Sequence, residues 1–182
     1  MGPTPAAPTK RPFEAVVQDH GATVLRVCRA VLGIHEADDA WSETFLSALK
    51  AYGELPADAN VEAWLVTIAH RKCLDLLRAM GRRAVPVDAP PEEPSRIGLP
   101  GDGHADILEA VGQLPPKQRQ AVAYHYLAGL PYRDIAELHG GTPEAARRAA
   151  ADGVRALRAA LADQSMNSHP TLVSATPKGA SR

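Results

Sequence analysis

Four arginines near the C-terminus, Arg147, Arg148, Arg155 and Arg158, lie on a different arc from Ala146, Ala150, Val154, Leu157 and Leu161 when the chain is wound at about 100° per residue. One side of such a helix packs and the other is cationic. A guanidinium can bond a guanine edge through two parallel N–H groups or hold a phosphate, so this division suits the major groove of duplex DNA. A helix that merely meets water would carry the same division; the stretch before it favours DNA. Tyr132, Ile135, Ala136 and Leu138 recur at helical spacing, and Gly140-Gly141 stops that helix because glycine reaches left-handed dihedrals cheaply. Thr142-Pro143-Glu144 then starts the next helix with a hydroxyl cap, a proline whose missing N–H costs nothing there, and an acid at the positive dipole end. Two helices around a short, specified turn make a helix-turn-helix.

A second cationic stripe lies upstream. From Asn60 to about Arg83, Leu65, Ile68, Ala69, Cys73, Leu76, Leu77 and Met80 form an apolar side, while Trp64, Arg71, Asp75, Arg78 and Arg82 align on another. Cations beside a ring can hold a nucleic-acid backbone and stack an unpaired base. Equally, Trp64 can cap the core and Asp75 can pair with Arg71 or Arg78 at helical spacing. A helix expected from about Glu36 to Tyr52 buries Ala37, Trp41, Thr44, Phe45, Ala48 and Tyr52 and leaves Glu36, Asp39, Glu43 and Leu46 on its other side. Acids beside an exposed leucine suggest a docking surface, against the alternative of a solvated face.

These elements need a scaffold, and composition sets its class. The 182 residues are 45% hydrophobic but only 4% aromatic, so alanine and leucine must do the packing. Apolar residues recur at spacings of three and four, and alternation of period two is absent, which predicts an all-helical chain. With 20 basic and 21 acidic residues there is no global basic coat, so DNA binding must come from local patches. Cys28 and Cys73 sit on apolar faces without a CxxC pair or histidines at ligand spacing, which makes them buried thiols and predicts no metal site. The histidines, His20, His35, His70, His104, His125, His139 and His169, form no HExxH motif, and neither a nucleophile elbow nor a phosphate-binding glycine loop occurs. An enzyme is therefore not expected, nor a cofactor. No run of eighteen apolar residues or hydrophobic N-terminal stretch is present, which points to a cytoplasmic protein and away from a membrane.

Proline, glycine and small polar residues crowd Met1 to Pro12, Ala84 to Gly103 and Asp163 to Arg182. The middle segment is too proline-rich for a helix and long enough to separate two bodies. The expected organisation is a disordered arm over 1–12, a first helical domain over 13–83, a linker over 84–104, a second domain over 105–162, and a disordered tail over 163–182.

In this order the pieces resemble the bacterial RNA polymerase sigma factors of extracytoplasmic-function (ECF) type, within the sigma-70 family. Region 2 of that family carries an acidic helix of the form DAEDLVQETFLRAW, and Glu36 to Leu49 reads EADDAWSETFLSAL. Its next helix has the form WLxxIARNxxxDxLRR, and Trp64 to Ala79 reads WLVTIAHRKCLDLLRA, with His70 and Arg71 where arginine and asparagine are common. Region 4 has the form LPxxxRxxxxLxxxxGLSYxEIAExLGxSxGTVKSRLxRAR. Here LPPKQR and GLPYRDIAELHG match closely, whereas in the recognition helix Arg148 replaces serine, Ala149 a usual arginine, and Asp152 another.

The resemblance implies an all-α fold of two small helical domains, a region 2 bundle and a region 4 helix-turn-helix, joined by a flexible linker. It implies binding to core RNA polymerase through Asp38, Asp39, Glu43 and Leu46, and to promoter DNA. Trp64, Arg71, Lys72, Arg78 and Arg82 would open the start-proximal element, and Arg133, Thr142, Glu144, Arg147, Arg148 and Arg155 would meet the upstream one. An anti-sigma factor is a candidate partner. Two other functions fit the altered recognition helix: a degenerate sigma-like protein that docks on polymerase without initiating, and a stand-alone helix-turn-helix regulator.

Overall fold

The computed structural model describes residues 10–83 and 105–167. The expected linker, residues 84–104, and the outermost parts of the arm and tail lie outside the described residues. Within them the secondary structure is helical: α1 (Phe13–Leu32), α2 (Ile34–Ala51), α3 (Val61–Arg83), α4 (Ala105–Gly112), α5 (Pro116–Val122), α6 (Tyr132–His139) and α7 (Pro143–Asn167). A 3-10 turn, Tyr52–Glu54, follows α2, and a π-helical stretch, Ala123–Leu127, continues α5.

Helices α1, α2 and α3 pack pairwise into the first unit. Gly33 alone separates α1 from α2, and its φ of 93° is the left-handed value that reverses the chain in one residue. Val24, Val27, Cys28 and Val31 of α1 meet Leu65, Val66, Ala69 and Cys73 of α3 in the core. The few aromatic side chains gather at one end, with Phe13 5.2 Å from Tyr52 and Trp41 4.8 Å from Phe45. Gly21, deep in α1, admits the Trp41 ring: Trp41 Nε1 donates to the Gly21 carbonyl at 2.9 Å. Asn60 caps α3 by accepting the Ala63 N–H at 3.1 Å.

Two expected boundaries shift. The arm is tied down at its end, because Lys10 donates to the carbonyls of Tyr52, Gly53 and Leu55 and Arg11 pairs with Asp19 at 2.7 Å. The Tyr52 carbonyl also accepts the Leu55 N–H at 3.2 Å, so the lysine adds a charged donor to a turn that the backbone already closes. At the other end, α7 runs on through Asn167, past the expected boundary at 162. Glutamine and methionine there are good helix formers, and the first proline comes only at Pro170.

In the second unit α7 packs on α4, α5 and α6. Gly153 makes the α5–α7 approach close: a Cβ at that position would stand 2.7 Å from Val122 Cγ2. This unit also packs against the first. Arg119 of α5 donates at 3.0 Å to the carbonyl of Val31, in the last turn of α1 where carbonyls lack helical partners, and also to Leu114. Tyr124, fully buried, reaches His70 of α3.

Candidate nucleic-acid interface

The turn that aims α7 forms as its residues dictate. Gly140 ends α6 at φ 67°, and the Gly141 N–H bonds the Ala136 carbonyl at 2.9 Å. Thr142 Oγ1 accepts the Ala145 N–H at 3.2 Å, which orients the start of α7. Ala146 and Ala150 are buried, and Glu144, Arg147, Arg148, Arg155 and Arg158 are exposed. The expected division of the helix into a packed and a cationic side is therefore present.

The arginines differ in freedom. Asp152 accepts a bond from Arg155, one turn away, and Arg133 is held by its neighbour Asp134 at 2.9 Å. Arg147 and Arg148 form no ion pair among the described residues. Arg148, Glu144, Thr142 and Asp152 line an open groove of about 770 Å³, whose other wall is Pro115, Pro116, Lys117 and Gln118 of α5. This groove joins the recognition helix to the start of α5, so Lys117 widens the cationic surface that the sequence assigned to Arg133 of α6 and to α7.

On α3 the expected residues are brought to one side but are more engaged. Trp64 is half-buried, its ring 6.3 Å from that of Tyr52, so it caps the core as one of its two readings required. Lys72 donates to Glu43 of α2 at 3.3 Å, and Arg78 to Asp75 at 3.3 Å. Arg71 and Arg82 are exposed. Arg71 and Trp64 line a second groove, of about 390 Å³, which α6 closes with Asp134, Glu137 and Leu138.

Asp38, Asp39, Glu43 and Leu46 are exposed on α2, Asp38 reaching Arg29 at 3.7 Å. Leu49, 54% exposed beside Leu46 at 53%, belongs to the same face and was missed. Its position three residues after Leu46 was the signal that could have found it. Ile34, at the start of α2, is 61% exposed and extends the apolar surface of that helix.

Sequence profiles decide what kind of protein carries these two faces. A profile described as Sigma-70 region 2 matches residues 16–83, and one described as Sigma-70, region 4 matches residues 104–157. The RNA polymerase sigma factor CarQ of Myxococcus xanthus is 30% identical over 136 residues, covering 70% of this chain and 75% of the relative. A probable RNA polymerase sigma-C factor of Mycobacterium bovis is 31% identical over 137 residues, covering 71% and 72%. The chain belongs to the ECF sigma factors of the sigma-70 family. This sigma factor thus directs promoter-specific transcription, and its relatives are not enzymes. Its helical fold is shared with the sigma factor RpoE of Bartonella quintana, solved in complex with the anti-sigma factor NepR. The TM-score is 0.63 at 21% identity, covering 82% of this chain and 98% of that one. CnrH, solved in complex with the cytosolic domain of CnrY, gives 0.59 at 21% identity, covering 83% and 88%. No described helix is long and apolar enough to cross a membrane, and no cluster of metal-ligating side chains occurs among the described residues.

Proposed function

We propose that the two cationic faces divide the promoter between them. Region 4, running from α4 to α7, reads duplex DNA at the upstream element. Arg147 and Arg148 contact base edges or phosphates, Lys117 and Arg133 contact the backbone beside them, and Thr142 and Glu144 set the angle of entry. Region 2, α1 to α3, holds the opened strands at the start-proximal element through Arg71, Lys72, Arg78 and Arg82, with Trp64 as a stacking surface. Asp38, Asp39, Glu43, Leu46 and Leu49 on α2 form the face that docks on core polymerase. The supporting observation is the exposure of Arg147 and Arg148 on a capped helix whose opposite side is buried. Two weak DNA contacts on one chain then act together through effective concentration.

The setting is the cytoplasm. By analogy with RpoE of Bartonella quintana, captured with the anti-sigma factor NepR, an anti-sigma partner of this chain is part of the proposal. The Asp152–Arg155 pair favours a second reading, a protein that docks on polymerase without initiating, because it neutralises one cation of the recognition helix.

Run-off transcription on fragmented genomic DNA separates the two. With core polymerase stripped of sigma, adding the protein yields discrete new transcript starts that share an upstream motif. Co-purification with core enzyme and no new starts would establish the second reading instead.

A further inference from the structure

Three residues that depart from the family's patterns meet at one buried point between regions 2 and 4. His70 stands at an arginine position of the region 2 pattern, and Tyr124 and His139 each stand at a leucine position of the region 4 pattern. Their rings lie 5.5 to 5.8 Å apart in all three pairings. His70 Nδ1 and the Tyr124 hydroxyl are 2.7 Å apart, and the Leu138 backbone of α6 acts on the same ring. A region 2 side chain is thus engaged by two segments of region 4. His139 Nε2 is buried with no hydrogen-bond partner among the described residues.

This arrangement suits a neutral His70. With Nδ1 unprotonated, the ring accepts the Tyr124 hydroxyl proton. A second proton on the ring would leave that buried hydroxyl proton without an acceptor. The surroundings oppose the proton as well. Arg71 and Arg78 of α3, Lys117 of α5 and the paired histidine of α6 are the charged groups that act on the two rings, and all favour the neutral forms. Cys28 of α1 and Cys73 of α3 lie buried near Tyr124, and Asp134 and Glu137 of α6 line the same groove as Arg71.

We propose that His70, Tyr124 and His139 form a polar latch: with the histidines neutral it holds region 4 closed over the Trp64–Arg71 side of region 2, and protonating them releases it. Arg119 on the Val31 carbonyl is a second contact of the same closed state. Burial, with His139 and the arginines, pulls the His70 imidazole down to about 4. The closed state therefore binds fewer protons than an open one, in which the ring meets water. Its stability is full above about pH 6.5, the ordinary histidine value, and is lost as pH falls from there toward about 4. Between about pH 7.5 and about pH 5.5, His70 alone raises the open-to-closed ratio about tenfold.

Single-molecule energy transfer on the full chain, with dyes on cysteines introduced by Ser42→Cys in α2 and Ala159→Cys in α7, reads this ratio directly. At about pH 7.5 the population is compact, and at about pH 5.5 the open fraction rises about tenfold. His70→Arg is open at both pH values. Tyr124→Phe, which keeps the buried ring and removes only the hydroxyl, raises the open fraction roughly fivefold or more at neutral pH. It carries the test if His70→Arg does not fold. A wild-type chain already open at neutral pH, or a compact state indifferent to Tyr124→Phe and to acid, would overturn the latch. Masking rests on the reading of α3 as a DNA face. Binding of a fluorescent mixed-sequence single strand to the charge-neutral Tyr124→Phe variant tests it separately. Opening with tighter binding supports latch and masking, whereas opening without it keeps the latch and removes the masking.

Discussion

Helices α3 and α7 carry the same chemistry, but α3 has more of it engaged: only Arg71 and Arg82 stay exposed and unpaired there among the described residues. Each has a buried side of small and aliphatic residues and an exposed side of arginines. On α7, Arg147 and Arg148 face solvent with no ion pair among the described residues. On α3, Lys72 is held by Glu43, Arg78 by Asp75, and Trp64 is lodged against Tyr52. A cation already paired must give up its carboxylate before it gains a phosphate, so only part of the Coulomb energy appears as affinity. On the proposed reading, the recognition helix would meet duplex DNA as it stands, whereas the region 2 helix would exchange internal partners for external ones once strands have separated.

The largest effect should come from removing what α7 offers freely. Arg147→Ala with Arg148→Ala is expected to cost about 1–3 kcal/mol for each base edge that is no longer bonded, at least tenfold in upstream-element affinity. The matched change on α3, Lys72→Ala with Arg78→Ala, removes two cations that are already paired and should cost far less. Anisotropy titrations of the holoenzyme on the promoter found by run-off transcription compare the two. Equal losses on both helices would erase the distinction between a free and a paired face.

A second test asks whether α7 is held rigidly enough to aim those arginines. Alanine for glycine within a helix normally stabilises by about 0.5–1 kcal/mol. At Gly153 the new Cβ would stand 2.7 Å from Val122 Cγ2 and 3.4 Å from the Gln118 carbonyl. Val122 is buried and has little room to yield. Gly153→Ala should therefore destabilise region 4 by about 1–3 kcal/mol, lowering its urea midpoint while α1 to α3 keep theirs. A raised midpoint would show that α5 and α7 can separate, and that the recognition helix is less firmly seated than its packing indicates.

Much of this was legible beforehand, for a physical reason. Helix α3 was expected from Asn60 to about Arg83, because its apolar residues repeat at three and four. The turn into α7 was legible residue by residue, since Gly140 and Thr142 act on their own backbone neighbours. What escaped was everything made by one residue reaching another helix. Lys72 meeting Glu43, Arg119 meeting Val31, and His70 meeting Tyr124 leave no periodic trace. The docking of region 4 on region 2 was hidden for that reason, and a linker as long as 84–104 gave no hint of it. The α2 face was half-read: Leu46 stood out beside the acids, and Leu49 did not.

The smallest effect is the most informative about the altered recognition helix. Asp152 stands where the family's pattern has a basic residue, and it holds Arg155 one turn away, so α7 resembles α3 at this one point. Asp152→Asn keeps the shape, frees Arg155 and removes a negative charge from the groove that Arg148 and Lys117 share. An exposed pair of this kind is worth about 0.2–1 kcal/mol, so upstream-element affinity should rise by only a few-fold. The salt dependence should change more visibly, because one further phosphate contact steepens the slope by about 1 in log affinity against log salt. If affinity instead falls, and falls only on promoters with a cytosine at one position, Asp152 is accepting a bond from the cytosine amine. The pair with Arg155 would then orient a base-reading carboxylate, and the departure from the family's pattern would encode a different promoter, not a weaker grip on DNA.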